Sequence, residues 1–314
     1  MTEPGGAPAL LLPFEGGRGD QEAYVSSRAR SVRLRLSAMG LDGFVQDDKT
    51  MVDLICRTSP QAGPDTIGFV ADWLLWVFPL DDLCEHVFGR SSITEHVDLL
   101  TASAIPQPVT TGMAAYCTDV MANMSSAWGS QFRRDVDSYL RHAIRYARTL
   151  DPDGLPALAD FLVLRREEGA AKPTVDLVEV GVGADLPAEF RDSPVWRELT
   201  DACADVLTWT NDIHSYRKER HAGSRFNLID VLMHHDRLGE QDAYACAVAM
   251  TNEKARQFIA TAAGLPQTRN FVSLSAQAQA DVLRCVRGME DWMRGQYDWF
   301  VTTRPARYDV PQHG

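Results

Sequence analysis

Between Trp73 and Leu80 the chain reads Trp-Leu-Leu-Trp-Val-Phe-Pro-Leu, as apolar as a core helix, and it runs without interruption into Asp81-Asp82-Leu83-Cys84-Glu85. At roughly 100° per residue, the carboxylates of Asp81, Asp82 and Glu85 fall within about a 100° sector at the end of that helix. Crowding anions beside buried apolar surface is costly unless something positive joins them, and hard oxygen donors of this kind suit Mg²⁺. The fold must then bring the acidic end of a buried helix to a place a cation can reach. The plainer alternative is a set of acids that caps or solvates a helix end. Pro79, just before the acids, predicts a kink or a restarted turn.

From Asp20 onward the chain divides into segments of roughly 12 to 25 residues whose apolar positions recur at helical spacing. Short breaks separate them, at Ser59-Pro60, Pro106-Gln107-Pro108, Asp151-Pro152-Asp153-Gly154 and Gly264-Leu265-Pro266. The expectation is a helical array. Val175 to Val182 alternates like a strand, but a lone strand has no partner, so a short or kinked helix is expected there. Gly and Pro cluster in residues 1–19, which read as an irregular lead-in, with one helical domain over 20–308 and a polar tail at 309–314.

A second set of oxygen donors lies in Asn211-Asp212-Ile213-His214-Ser215-Tyr216-Arg217-Lys218-Glu219. Asn211, Ser215 and Glu219 stand at i, i+4 and i+8, and each step of four turns roughly 40°, so an amide, a hydroxyl and a carboxylate share one helix face. That face suits a Mg²⁺ completed by substrate phosphate oxygens. An ordinary polar helix face is the competing explanation. Val206, Leu207 and Trp209 lead into the motif and predict that the donor face continues into apolar lining.

Composition removes other classes of function. At 314 residues and 45% hydrophobic the chain can bury a large core, and a net charge of −12 with no basic stripe argues against a nucleic-acid partner. The six cysteines, Cys56, Cys84, Cys117, Cys203, Cys246 and Cys285, form no CxxC pair and read as buried thiols. The longest apolar run, Gly68 to Leu80, is interrupted by Asp72 and falls short of the roughly 20 residues a membrane span requires. Without a basic, apolar leader, a cytoplasmic location is expected.

Together the two motifs resemble those of the class I terpene synthases, whose aspartate-rich motif and NDxxSxxxE motif hold three Mg²⁺ ions against a substrate diphosphate. The resemblance starts at Trp76 and Phe78 ahead of Asp81 and Asp82 and extends to Arg307-Tyr308. It includes Leu164-Arg165-Arg166-Glu167-Glu168-Gly169, which is similar to the family's diphosphate-sensing segment. The resemblance implies an all-α, single-domain helical bundle around a central apolar cavity, of the bacterial type. It implies Asp81, Asp82, Glu85, Asn211, Ser215 and Glu219 as metal ligands. It makes Arg165 the sensor, Glu168 its linker and Gly169 the effector at a helix break, with Lys218 helping to neutralise the leaving diphosphate and Arg307 and Tyr308 closing over it. Two departures stand out: Glu85 replaces the commoner Asp, and the Arg-Tyr pair lies about two residues later after Trp299 than the pattern has it, leaving Arg304 as an alternative.

The implied activity is Mg²⁺-dependent ionisation of a linear prenyl diphosphate and cyclisation of the cation, with the C15 substrate (farnesyl diphosphate) expected and the C20 one (geranylgeranyl diphosphate) open. Helix phase offers Leu74, Phe78, Leu207, Thr208, Trp292 and Trp299 as pocket lining, though each also fits ordinary core packing. The competing readings are a prenyl chain-elongating transferase, which would carry a second aspartate-rich motif, and a noncatalytic helical protein that binds Mg²⁺ or diphosphate. A homodimer is compatible with all three.

Overall fold

The computed structural model describes residues 9–38, 40, 47–88, 107–146 and 154–303, with side chains omitted at 84–88, 107–111 and 144–146. All regular structure among the described residues is helical. In chain order the helices are α1 (Glu22–Ala38), α2 (Asp48–Thr58), α3 (Pro64–Phe88), α4 (Gln107–Ala122), α5 (Ser126–Tyr146), α6 (Leu158–Glu168) and α7 (Ala171–Gly181). They continue with α8 (Ala188–Arg191), α9 (Pro194–Ala222), α10 (Leu228–His235), α11 (Glu240–Gly264), α12 (Arg269–Val272) and α13 (Ala276–Asp298), which ends in a π turn over Trp299–Thr303.

The stretch that alternates like a strand is the helix α7, and burial explains why its sequence misleads. Val175, Leu177, Val178, Glu179, Val180 and Gly181 are all buried, because α7 packs against α3, α5, α6, α9 and α13. A helix enclosed on every side has no polar face, so its apolar residues lose the 3.6-residue period. Among its acids, Glu179 accepts both Arg191 Nε and Nη2 at 2.8 Å and the Leu186 amide at 2.7 Å. A buried carboxylate is tolerable only with such partners, and here they tie down the turn after the helix.

α3 does not break at Pro79; it runs through the proline and the acidic residues to Phe88. A mid-helix proline costs about 3 kcal/mol, and what offsets it is burial on both sides: Trp73, Leu74, Leu75, Trp76, Val77 and Leu80 are all in the core. Trp73 alone is surrounded by the rings of Tyr116, Phe132 and Tyr139 and donates its Nε1–H to Thr174 Oγ1 on α7 at 2.8 Å. Each such side chain is worth about 1.5–3 kcal/mol when removed from water.

α9 begins at Ser193, whose Oγ accepts the Trp196 amide at 3.3 Å, with Pro194 as first helical residue. It ends at Gly223 in the left-handed region, φ 90°, a conformation glycine adopts without penalty. Over its length α9 changes core: Val206 and Leu207 belong to the larger apolar cluster with α1–α5, α7 and α13, whereas Trp209, Ile213 and Tyr216 belong to a smaller one with α6, α10 and α11. The segment over 9–19 has no regular structure, yet Leu10, Leu12 and Phe14 are buried. The Leu11 amide donates to Asn252 Oδ1 at 2.6 Å, and Arg294 Nη1 donates to the Leu12 and Phe14 carbonyls at 3.2 and 3.4 Å. It is a strap across α11 and α13.

Candidate active site

The break between α6 and α7 organises the site. Gly169 closes α6, its amide donating to the Arg165 carbonyl at 3.0 Å, and Ala170 follows in the left-handed region at φ 55° before α7 begins. A non-glycine residue in that region costs about 1–2 kcal/mol; the chain carries this strain where the resemblance puts the effector. Gly169 must be glycine for a different reason. A Cβ there would lie 2.7 Å from Arg165 Nη1, 2.8 Å from Thr208 Cγ2 and 3.1 Å from the Arg165 carbonyl oxygen. The guanidinium, the helix break and α9 are thus packed into van der Waals contact.

Arg165 is 6% exposed. Its Nε donates to Asp212 Oδ1 at 2.8 Å, Nη2 lies 2.7 Å from the same oxygen and 3.3 Å from Asn211 Oδ1, and Nη1 pairs with Glu168. Burial alone would favour the neutral guanidine, but Asp212, Glu168 and Glu219 outweigh it and hold Arg165 charged. Asp212 is itself fully buried, and burial pushes its carboxyl up to about 6 even though Arg165 and the Leu228 amide stabilise the anion. The neighbouring Arg166 pins α6 from the other side, with Nε on Asp205 at 2.6 Å and Nη1 on Asp201 at 2.8 Å, while Lys254 of α11 approaches Asp205 at 3.2 Å.

The face of α9 carrying Asn211, Ser215 and Glu219 meets the acidic end of α3 through Lys218, whose Nζ lies 3.6 Å from Asp82 Oδ1. Asp81 Oδ1 accepts the Tyr139 hydroxyl of α5 at 3.4 Å. Lys218 thus links the α9 motif to the acidic end of α3, and both helices pack against α7. A cation fits the donors present. Ser215 Oγ is buried with no hydrogen-bond partner, a costly condition for a hydroxyl that a metal ligation would remove. Glu219 stands in the last turn of α9, where the helix dipole favours positive charge. Among the described residues no three His, Cys, Asp or Glu side chains gather as a ready-made metal cluster. The side chain of Glu85 and the whole of Arg304, Arg307 and Tyr308 lie outside the described residues.

Of the predicted lining, Phe78 and Trp299 come together edge to face with centroids 6.3 Å apart, and Trp299 Nε1 donates to the Thr50 carbonyl at 2.8 Å. Thr208 turns its methyl to Gly169 and its hydroxyl to the Ala204 carbonyl at 2.9 Å, and Leu207 is in the core beside it. Leu74 lines a narrow crevice where α1, α2 and α3 meet, and Trp292 lines another between α2, α7 and α13 with Gln61 and Asp291. Three residues at the site carried no role in the sequence reading: Asp212, Asn227 and Tyr139. Asp212 is visible as the partner of Asn211 in its motif; Tyr139, on α5, and Asn227, in the loop between α9 and α10, give no periodic signal.

The sequence profile described as terpene synthase family 2, C-terminal metal binding, matches residues 72–257, more than half of the chain, including both acidic motifs and the α6–α7 break. The 4-epi-cubebol synthase of Streptosporangium roseum, described as (2E,6E)-farnesyl diphosphate cyclizing, is 29% identical over 265 residues, 81% of this chain and 77% of that protein. The (+)-T-muurolol synthase of Streptomyces clavuligerus is 30% identical over 295 residues, 89% of this chain and 65% of that protein. The crystal structure of germacradien-4-ol synthase from Streptomyces citricolor superposes with a TM-score of 0.78 at 21% identity, covering 93% of this chain and 97% of that one, a likeness of fold. No helix among the described residues is long and apolar enough to cross a membrane. With an all-helical fold and a profile match over residues 72–257, the chain belongs to the metal-binding terpene synthases of family 2.

Proposed function

We propose that the chain is a Mg²⁺-dependent cyclase of farnesyl diphosphate, releasing diphosphate and a cyclic C15 product. The observation that carries this reading is the buried guanidinium of Arg165, wedged against a helix break and hydrogen-bonded to the first donor of the α9 motif. The names of the relatives support the C15 substrate, two of which are described as cyclising farnesyl diphosphate. Asp81, Asp82 and Glu85 on α3 and Asn211, Ser215 and Glu219 on α9 would hold three Mg²⁺ ions. When bound, these supply positive charge to the departing diphosphate.

The chain's own groups do the rest. Arg165 presents a planar, permanently charged fork suited to diphosphate, and Lys218, already between the two banks, adds a second cation. Both stabilise charge that develops as the carbon–oxygen bond breaks. Phe78 and Trp299 offer ring faces to the allylic cation, each worth about 0.5–2 kcal/mol in a dry site. The apolar packing of α3, α7 and α9 keeps out water that would quench the cation early. The tail with Arg307 and Tyr308, or Arg304, is proposed to complete closure. The free thiols among the described cysteines, none in a disulfide, support a reducing, cytoplasmic setting.

Incubation with C10, C15 and C20 prenyl diphosphates and Mg²⁺, followed by gas chromatography with mass detection, tests the proposal. A cyclic C15 product that disappears in Asp81→Ala, Asn211→Ala and Glu219→Ala, each still folded by circular dichroism, is the expected result. Full turnover in all three variants would remove the metal assignment, and a cyclic product only from the C20 substrate would replace the chain length.

A further inference from the structure

Asn227 is fully buried in the loop between α9 and α10, and every polar atom of its side chain is used. Its Nδ2 donates to Glu219 Oε2 at 2.9 Å and to the Asp212 carbonyl at 3.0 Å, while its Oδ1 accepts the Ile229 amide at 2.9 Å and caps α10. The next residue continues the link, because the Leu228 amide donates to Asp212 Oδ2 at 3.0 Å. One amide thus touches the last donor of the α9 motif, and through Asp212 the same loop reaches Arg165, whose Nε lies on the opposite oxygen of that carboxylate. Gly223 makes this return possible: its left-handed turn reverses the chain one residue after α9 ends, bringing residue 227 back alongside the helix it has just left.

The chemistry of an amide at this point is specific. A carboxylate that is to ligate a metal must be held in one rotamer without losing its charge or offering both oxygens to protein donors. Asn227 takes one oxygen of Glu219 with a neutral donor, which orients the group and leaves it anionic. A lysine or arginine there would compete with the cation, and a serine would be too short to reach. We infer that Asn227 is a positioning residue for the reaction: it orients Glu219 as metal ligand and couples that ligand to Arg165 through Asp212. The inference rests on the proposed role of Glu219.

The test measures metal binding, not product. For wild type, Asn227→Ser, Asn227→Asp and Glu219→Ala, the Mg²⁺ concentration giving half-maximal thermal stabilisation in the presence of inorganic pyrophosphate is compared, with the metal-free melting temperature recorded alongside. Serine and aspartate both keep an acceptor for the Ile229 amide, so the α10 cap survives and either variant that folds suffices. The expected result is a rise of about 10- to 100-fold in the Mg²⁺ requirement of an Asn227 variant, with Glu219→Ala raised at least as far. An unchanged requirement in the Asn227 variants beside a raised one in Glu219→Ala overturns the positioning role and leaves the metal reading intact. An unchanged requirement in all three overturns both. A requirement that shifts only as far as the metal-free melting temperature falls, in step with a surface-destabilised control, also overturns it, since that is the behaviour of a purely structural cap.

Discussion

Arg165 holds a permanent charge in a pocket of acids, and the way it is held determines what replaces it poorly. Its fork makes two contacts to one oxygen of Asp212 and further contacts to Asn211 and Glu168. Lysine keeps the charge but not the fork. Arg165→Lys is expected to lower turnover by about 100- to 1,000-fold and stability by about 1–3 kcal/mol, read from product yield and a urea titration; turnover within twofold of wild type would refute the sensor role. Gly169→Ala separates geometry from charge. Its Cβ meets the Arg165 guanidinium and the Thr208 methyl inside 3 Å, so either the fork or α9 must move. A misplacement of this size is expected to cost on the order of 100-fold in turnover while the circular dichroism spectrum stays helical. These residues were legible because a helix face and a short motif carry them. Asn227 and Tyr139 were not, since nothing in a loop or a distant helix announces which carboxylate it will meet.

At the scale of elements, the decisive contacts are close backbone approaches that periodicity does not report. The helical array was readable from apolar spacing and its breaks, and the motif-bearing helices α3 and α9 from their donors. Which helices touch was not readable, because that depends on shape. Gly295 on α13 is an example: a Cβ there would sit 2.4 Å from the Arg57 carbonyl oxygen at the end of α2. The neighbour is backbone and cannot rotate away. Gly295→Ala is expected to destabilise the protein by about 1–3 kcal/mol, seen as a lower denaturant midpoint with an unchanged slope, whereas Gly264→Ala, whose Cβ would meet nothing within 4 Å, serves as the neutral control. α7 was read as a helix only because a strand would have lacked a partner, and Pro79 was expected to disturb α3. In both places tertiary burial outweighed the local signal.

For the molecule as a whole, acid sensitivity has a component with an unusual sign. Asp291, between α13 and the α2–α3 turn, is buried beside Gln61 and Arg287, and burial pushes its carboxyl up from 3.8 to about 6, with Arg287 offsetting only part and Glu290 adding to the rise. The folded chain therefore holds a proton there that the unfolded chain has released, so this group favours folding at low pH and loses that contribution as pH rises through the window from 3.8 to about 6. Asp291→Asn, which mimics the protonated form, is expected to raise the urea midpoint relative to wild type more at pH 7.5 than at pH 4.5. Equal shifts at the two values would exclude the raised carboxyl.

The strap over residues 9–19 has a consequence for the order of events during synthesis. Its partners, Asn252 and Arg294, are made some 240 to 280 residues later, so Leu12 and Phe14 leave the ribosome long before the groove that shelters them exists. Until α13 emerges, those side chains have no native place to go, and over that interval they stay exposed to chaperones or to neighbouring chains.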